Sequence, residues 1–370
     1  MKDKEALLFI VSCELNADMP TGVQTKVFNQ KRVFEFQYDV VLVGYTLDGI
    51  IIFADGNSKI IQCKNRRSER ISICDRLCKE KNIHKCYIRN SVLDPLYMSL
   101  LRHLKRNRVT TVQEIATYPY DGELKDSIKH RVILTIDRLY RKKLSHYVER
   151  IVTYSSDNEI YGIQCINIHN GIDVFSQPFF STRRQSNTIN LIGVAKIYNW
   201  HGFDRMITGL AAYAGQHEVL FHIVGDGPAL KSCKELAEKF GVSDKVIFHG
   251  FRYGEELARI YEIADIGIDC LGLHRKGMTQ VSSLKSREYA SHGLPIVCAN
   301  SSDVIPDDWK YLIKQLPNDE PVNIEYIVDR FNSISSDPEY REEIRSYAEK
   351  HFDITKTFIP VLDFFGGLNE

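Results

Sequence analysis

Short runs of apolar, often β-branched residues alternate with stretches of helical periodicity along nearly the whole chain. Examples are LLFIVSC (7–13) and YDVVLVGY (38–45) in the first half, and NLIGVAK (190–196) and KVIFHGF (245–251) in the second. Strands that are apolar on both faces, each followed by a helix, are typical of a parallel sheet covered on both sides. The alternation restarts after a polar segment at 173–188, so the sequence predicts two Rossmann-like α/β domains in series.

Length and motif content narrow the class of protein further. A chain of 370 residues that is 44% hydrophobic suits two soluble domains of ordinary size. It has no apolar run long enough to span a bilayer, and the short apolar stretch Ala6–Cys13 is interpreted as a first strand and not as a signal peptide. The chain also lacks GxxxxGK[ST], and no GxGxxG follows the first strand, which disfavours P-loop enzymes and dinucleotide dehydrogenases.

The nine cysteines are odd in number and irregularly spaced. Four of them lie inside apolar strand-like runs, which predicts buried thiols in a reducing cytosol: Cys13, Cys165, Cys270 and Cys298. One cluster, formed by Cys63, Cys74, Cys78, His84 and Cys86, leaves structural zinc open as the alternative, although it contains no CxxC pair.

Basic residues concentrate in the first half although the formal net charge is zero. Three stretches mix them with apolar residues: KNRRSERISICDRLCKEK (64–81), LLRHLKRNR (100–108) and KHRVILTIDRLYRKK (129–143). One interpretation is solvated helix faces, and the other is a surface for anionic lipid or an acidic acceptor. We expect no nucleic-acid partner.

Polar and glycine residues follow the predicted strands of the second half, where ligands of parallel sheets bind. The residues at these positions are Lys196, His201, Gly225, Gly227, Arg252 and the stretch QVSSLKSREYASHGLPIV (280–297). A helix start near Ser282, with Ser283, Lys285 and Lys196, offers N–H groups, hydroxyls and cations to a diphosphate. Glu288 can accept hydrogen bonds from two ribose hydroxyls. Together these residues predict a nucleoside diphosphate site, whereas each glycine alone could serve only backbone geometry.

Five ordered blocks of the second half resemble the donor domain of GT-B fold glycosyltransferases, specifically the retaining family 4. The blocks are VAKIYNWHGFD, IVGDGP, VIFHG, LARIYEIADI and QVSSLKSREYASHGLPIV, over about 190–300. The first half resembles the family more weakly, and its TYPYDGE segment is similar to one in capsular and exopolysaccharide transferases.

The resemblance implies an α/β GT-B protein with two Rossmann-like domains facing across a cleft. It implies an acceptor-binding domain over 1–183, a donor-binding domain over 184–352, and a C-terminal helix over 353–370 that packs back on the first domain. The implied activity is metal-independent transfer of a hexose-like sugar, with retention, from a UDP- or GDP-linked donor to a saccharide or lipid-linked acceptor. No cofactor is implied beyond this donor substrate.

The family's functional positions map onto this sequence with substitutions. Lys196 stands where the family has a diphosphate-binding Arg, His201 where it has a second cation, and Gln280 where it has the first Glu of a pair. Glu288 matches the second Glu, and Leu284 lies in the same donor-binding block. Because unperturbed imidazole titrates near ~6.5, His201 is expected to supply a pH-dependent cation.

The acceptor side is predicted from residues that follow strands of the first half. They are Gly22, Arg89, Glu114, Tyr118 and Asp121. We predict Gln280, Lys196 and Glu114 as catalytic residues and no metal ligands. The alternative for TYPYDGE is a rigid turn before a helix.

Two other functions remain open from the sequence. One is a nucleotide-sugar epimerase of the same fold, and the other is a non-catalytic subunit that binds a partner glycosyltransferase, motivated by Gln280 and His201. We expect surface polysaccharide biosynthesis in the cytoplasm, with peripheral contact between the basic helices of the first domain and the inner face of the membrane as a further hypothesis.

Overall fold

A computed structural model describes residues 4–16, 22–90, 92–124, 127–182 and 186–367. The chain divides into two compact units, each with its own sheet. The first comprises Met1–Ile168 together with Thr357–Glu370, and the second comprises His169–Lys356. The polar segment NADMPTG (16–22) lies mostly outside the described residues.

The first unit is built on a nine-stranded sheet of order β4-β3-β2-β1-β5-β6-β7-β9-β8. Its strands are β1 (Ala6–Glu14), β2 (Asp39–Tyr45), β3 (Gly49–Ala54), β4 (Asn57–Gln62), β5 (Lys85–Arg89), β6 (Thr110–Ile115), β7 (Arg150–Thr153), β8 (Glu159–Ile160) and β9 (Ile163–Asn167). Its helices are α1 (Gly22–Glu35), α2 (Arg66–Glu80), α3 (Pro95–Arg106) and α4 (Ile128–Leu144), with a 3₁₀ turn at Asp121–Leu124. The six central strands are parallel, as the sequence predicts.

Local chemistry sets several boundaries in this unit. The Asp94 carboxylate caps α3 by accepting from the backbone N–H groups of Leu96 and Tyr97, and Pro95 occupies the first helical position, where its missing N–H costs nothing. The sequence interpretation missed β4, which pairs antiparallel with β3 and is almost entirely exposed. An edge strand of this kind lacks the apolar run that marks a buried parallel strand.

The second unit contains a six-stranded parallel sheet of order β12-β11-β10-β13-β15-β17 and a short parallel pair, β14-β16. The strands are β10 (Thr188–Val194), β11 (Glu218–Val224), β12 (Val246–Gly250), β13 (Ile266–Ile268), β14 (Gln280–Val281), β15 (Ile296–Cys298), β16 (Ser301–Ser302) and β17 (Leu312–Lys314). The helices are α5 (Phe203–Ala212), α6 (Leu230–Lys239), α7 (Gly254–Ile263), α8 (Leu284–Ser291), α9 (Ile324–Ser335) and α10 (Tyr340–His351), with 3₁₀ turns at Asn199–His201 and Leu273–Lys276. The prediction of two Rossmann-like α/β bodies is confirmed.

The C-terminal segment is helical, and its part from Thr357 onward belongs to the first unit. It comprises α11 (Ile354–Thr357) and α12 (Ile359–Gly366). The rings of Phe358 and Phe365 meet the ring of Phe34 at centroid distances of 5.5 and 6.2 Å, and all three side chains are buried. Aromatic edge contacts of this kind add to the burial of apolar area, so this segment completes a hydrophobic core.

A helix that spans a bilayer needs about 20 mostly apolar residues. Among the residues that the structure describes, no helix is both long and apolar enough to cross a bilayer.

Candidate functional site

The turn after β11 brings the backbone of two strands together through glycine. Gly225 and Gly227 have φ angles of 125° and 156°, which disfavour side chains. A Cβ on Gly225 would lie 1.9 Å from the Ala195 carbonyl oxygen, and one on Gly227 would lie 2.3 Å from that of Ile197. The predicted donor-binding glycines therefore hold the loop after β10 in place, which is the geometric role that the sequence left open.

A stack of aromatic rings carries two lysines at the end of β10. Tyr198 and Trp200 lie parallel, with ring centroids 4.1 Å apart and planes 9° apart. The Lys196 ammonium lies 5.7 Å from the Tyr198 ring centre, and that of Lys276 lies 4.6 Å from the Trp200 ring centre. Because a ring face attracts cations, the stack holds two exposed positive charges near the carboxyl ends of β10 and β13.

The start of α8 is organised by Asp269, a buried residue that directly follows β13. Its carboxylate accepts from the hydroxyls of Ser283, at 2.9 Å, and Ser286, and it forms an ion pair with Lys285 at 3.1 Å. Burial raises its pKa, but the Lys285 charge and the serine hydrogen bonds outweigh that effect and leave the pKa lowered. The predicted donor groups Ser283 and Lys285 are thus bound to a carboxylate that the sequence interpretation did not single out.

Ser282 is engaged by a second carboxylate, that of Asp303. Its hydroxyl donates to Asp303 at 2.7 Å, and Arg287 donates to both oxygens of the same carboxylate at 2.8 Å. The Asn170 amide donates to the Ser282 hydroxyl at 3.0 Å. These contacts hold the loop before α8 in place and thereby set the direction of the first turn of the helix.

His201 does not supply the cation expected from the sequence. Its side chain is buried, and its Nδ1 accepts from the backbone N–H of Tyr198 at 3.1 Å. Burial, with the nearby charge of Lys285, lowers its pKa to about 3. The imidazole is neutral at physiological pH, so Nε2 carries the proton and is a neutral hydrogen-bond donor.

Glu288 lies one turn into α8 and is half-buried. Burial raises the pKa of its carboxyl to about 7, and the Lys285 charge and the Tyr261 hydroxyl lower it by less. A carboxyl group with this pKa changes charge near neutral pH, unlike an exposed glutamate.

Four further residues of the second unit have other contacts. The exposed Gln280 begins β14 and donates to the carbonyl of Ser302 at 3.1 Å. Arg252 is exposed and lies 3.6 Å from Glu256. Arg275 is held by Asp204 and Asp319 with contacts of 2.7 to 2.9 Å. Leu284 is the first residue of α8, and its partly buried side chain packs against the hydrophobic core of the second unit.

Glu114 occupies the interior of the first unit and has no exposed surface. Its carboxylate accepts from Gln30 at 2.8 Å, Tyr87 at 2.8 Å, Arg89 at 2.5 Å and Tyr154 at 3.0 Å. Burial raises its pKa, but the Arg89 charge and the hydrogen bonds leave it lowered. With four hydrogen-bond donors around it, this buried carboxylate joins β6 to α1, to β5 and to the residue after β7. The predicted acceptor residue Arg89 is therefore already engaged in an ion pair with Glu114.

The TYPYDGE segment is tied to α4. The Tyr120 hydroxyl donates to Asp137 at 2.9 Å, and Asp121 pairs with Arg138 at 2.7 Å and Arg141 at 2.5 Å. Tyr118 is half-buried against Tyr161, with ring centroids 5.9 Å apart. These contacts favour the rigid-turn interpretation for Tyr120 and Asp121. Gly22, the first residue of α1, is exposed.

The cysteine cluster lies largely in the core of the first unit. Cys74, Cys78 and Cys86 are buried, and burial raises the pKa of both Cys74 and Cys78 to about 12. These thiols therefore stay protonated and pack as small apolar groups. Within the described ranges, no group of three or more His, Cys, Asp or Glu residues is arranged to hold a metal ion.

Part of the chain is similar in sequence to known proteins. Residues 176–351 match the family model of glycosyl transferases group 1. A curated relative, the alpha-monoglucosyldiacylglycerol synthase of Streptococcus pneumoniae, is 35% identical over 81 residues, which cover 22% of this chain and 18% of that protein.

Solved structures align over nearly the full length. A glycosyltransferase from Rickettsia africae superposes with a TM-score of 0.66 at 12% identity, covering 99% of both chains. Anabaena HepE in complex with UDP superposes with a TM-score of 0.65 at 12% identity, covering 98% of this chain and 99% of the other. Similarity at this identity establishes the fold.

These findings define the class as a GT-B fold of two Rossmann-like units. Within the second unit, residues 176–351 are similar to the glycosyl transferases group 1 family.

Proposed function

We propose that the protein transfers a sugar from a nucleoside-diphosphate sugar, UDP-linked in the first instance, to a saccharide or lipid-linked acceptor. The observation that carries this proposal is the group 1 glycosyltransferase domain at 176–351. Its predicted donor residues follow the carboxyl ends of the parallel strands β10, β11, β12 and β13, where ligands of such sheets bind. The UDP complex of the structural relative HepE and the diacylglycerol named for the curated relative support the donor and a lipid acceptor.

The positive charge available to a diphosphate is limited by the contacts of the site. Lys285 is paired with Asp269, Arg287 with Asp303, and His201 is neutral. Arg275 is bound by two aspartates. Among the described residues, Lys196 and Lys276 form no ion pair, so we propose that these two lysines bind the diphosphate and that Lys276 replaces the cation which His201 does not supply.

The proposed reaction follows the retaining course implied by the family resemblance. The bond from the anomeric carbon to the diphosphate oxygen breaks, and a bond to the acceptor oxygen forms on the same face of the sugar. The acceptor proton passes to the leaving phosphate. Lys196, Lys276 and the N–H groups at the start of α8 would stabilise the developing charge without a metal ion. Gln280 would hydrogen-bond the donor sugar, and Glu288 the ribose.

A panel of nucleotides tests the proposal. We expect UDP, GDP or ADP at millimolar concentration to raise the melting temperature of the full-length protein, with one base preferred. The matching nucleotide sugar should then be hydrolysed or transferred in the presence of a chelator, with the α or β configuration of the product read by NMR. No stabilisation by any nucleotide would refute the proposal, and binding without turnover would favour the non-catalytic alternative.

Glu288 makes nucleotide binding pH-dependent in a defined direction. The carboxylate must be charged to accept two ribose hydrogen bonds, so we expect UDP affinity to fall as the pH drops below about 7. The free energy of unfolding of the nucleotide-free protein depends on pH in the opposite direction, because of the raised pKa of Glu288. Its contribution to the free energy of unfolding is full below the ordinary pKa of 4.5 and is lost as the pH rises to about 7.

Calorimetric titration of UDP across this pH range measures the effect. Glu288→Gln serves as the reference, because it lacks the titrating carboxyl group. The pH dependence that remains in this variant includes the ionisation of UDP itself. Glu288→Ala should weaken binding about tenfold or more, whereas Glu238→Ala, on the exposed face of α6, should not. Identical pH profiles for the native protein and Glu288→Gln would exclude Glu288 as the ribose ligand.

A further inference from the structure

Helix α4 presents an exposed apolar stripe to solvent. Ile128, Val132 and Leu139 are 83%, 53% and 68% exposed. Their spacing of four and seven residues places them on one side of the helix. The opposite side is anchored to the unit through the buried Leu134, Asp137 and Leu144. An exposed row of large aliphatic side chains on an otherwise anchored helix is costly in water and indicates a contact surface.

Cations border this stripe on both sides. At 100° per residue, Arg131, Arg138 and Lys142 fall on one flank, and Lys129 and Lys143 fall on the other. All five are exposed, and because Arg138 is also paired with Asp121, the positive charge of the two flanks rests on Lys142 on one side and on Lys129 and Lys143 on the other. The one acidic residue of the helix, Asp137, is buried and binds Arg141. The exposed face is therefore apolar along its centre and positive at both edges.

The other two basic stretches of the first unit do not share this arrangement. On α2 the cations alternate with acids, as in the pairs Lys79–Asp75 and Arg76–Glu80, and its described side chains include no exposed large apolar residue. On α3 the exposed large apolar residue is Leu96, at 36%. Unlike α2 and α3, which have a similar composition, α4 combines an exposed apolar stripe with cations on both flanks.

We infer that α4 docks the protein on an anionic lipid bilayer, with its axis in the plane of the interface. The apolar stripe enters the boundary between headgroups and acyl chains, and the flanking lysines and arginines contact lipid phosphates. A polar protein surface would leave the aliphatic stripe in water, whereas an anionic bilayer offers acyl chains to the stripe and phosphates to the cations on both flanks. The use of this contact rests on the proposed transfer to a lipid-linked acceptor, but the contact itself is measurable without nucleotide or acceptor.

Sedimentation with vesicles tests the inference on the full-length protein. We expect binding to vesicles of phosphatidylcholine with phosphatidylglycerol, and weak binding to phosphatidylcholine alone. The apolar variant, Ile128→Ser with Val132→Ser and Leu139→Ser, should lose at least about tenfold in partitioning. The charge variant, Lys129→Gln with Lys142→Gln and Lys143→Gln, should lose about fivefold per charge and most of its salt dependence.

Matched variants on other surfaces control for general effects. Leu47→Ser, at an exposed leucine of the same unit, and Arg76→Gln with Lys79→Gln on α2 should bind vesicles as the native protein does. UDP-induced stabilisation should be unchanged in all variants, so failure of the proposed function is distinguished from failure of this inference. Native protein that stays in the supernatant, equal binding by the apolar variant, or a native dimer that the apolar variant converts to monomer would overturn the inference.

Discussion

Replacing Lys196 by alanine is expected to weaken UDP binding about 10- to 100-fold, because a charge-assisted hydrogen bond contributes about 1.5–3 kcal/mol. Lys276→Ala should have an effect of similar size, and the double variant should show no measurable binding. The reason is that Lys285, Arg287 and Arg275 are bound to aspartates and Arg252 lies beside Glu256. Calorimetric titration at several salt concentrations measures both the affinity and its electrostatic part.

Conservative and distant substitutions sharpen this experiment. Lys196→Arg keeps the charge and adds a planar fork for phosphate oxygens, so it should retain or improve affinity. Lys231→Ala removes an exposed lysine of the same unit that is paired with Glu235, and it should bind UDP normally. If Lys276→Ala binds as the native protein does while Lys196→Ala is impaired, the second cation lies elsewhere.

Glu114→Ala is expected to destabilise the first unit by about 3–5 kcal/mol, as is typical when one partner of a buried ion pair is removed. The substitution leaves the charge of Arg89 and three hydrogen-bond donors without their acceptor. Thermal and urea unfolding should show the loss directly. Nucleotide binding by the second unit should persist wherever the protein remains folded.

Two further variants separate stability from catalysis at Glu114. Glu114→Gln keeps an acceptor oxygen for Tyr87 and Gln30 but removes the charge that faces Arg89, so it should lose less stability than Glu114→Ala. Glu149→Ala, at an exposed site of the same unit, should be nearly neutral. A Glu114→Ala protein with native stability and no transfer activity would return Glu114 to the catalytic role predicted from the sequence.

The sequence predicted much of the fold because local periodicity carries that information. The apolar strands β1, β10 and β11 are continuous runs in the chain and are buried in the structure. The exposed edge strand β4 has no such run, so its pairing with β3 depended on tertiary contact. An apolar run in the sequence indicates a buried strand, and most residues of β4 are exposed.

The site was less predictable because its electrostatics depend on pairs of residues far apart in the chain. Arg275 is bound by Asp204, which lies 71 residues earlier. His201 resembles a pH-dependent cation in sequence, but burial keeps it neutral. Neither Asp269 nor Asp303 belongs to a recognisable motif, although the position of Asp269 directly after the apolar strand β13 was a usable signal. Charge at a site is set by the partners that folding supplies.

The stacked Tyr198–Trp200 pair at the end of β10 also provides an intrinsic fluorescence probe. The chain contains two tryptophans: Trp200 lies between Tyr198 and Lys276, whereas Trp309 packs against Tyr311 and Tyr347 elsewhere in the second unit. A phosphate group that draws Lys276 away from the indole changes the electric field on that ring alone. The intrinsic fluorescence of a Trp309→Phe protein would therefore report occupancy of the proposed donor site without any attached label.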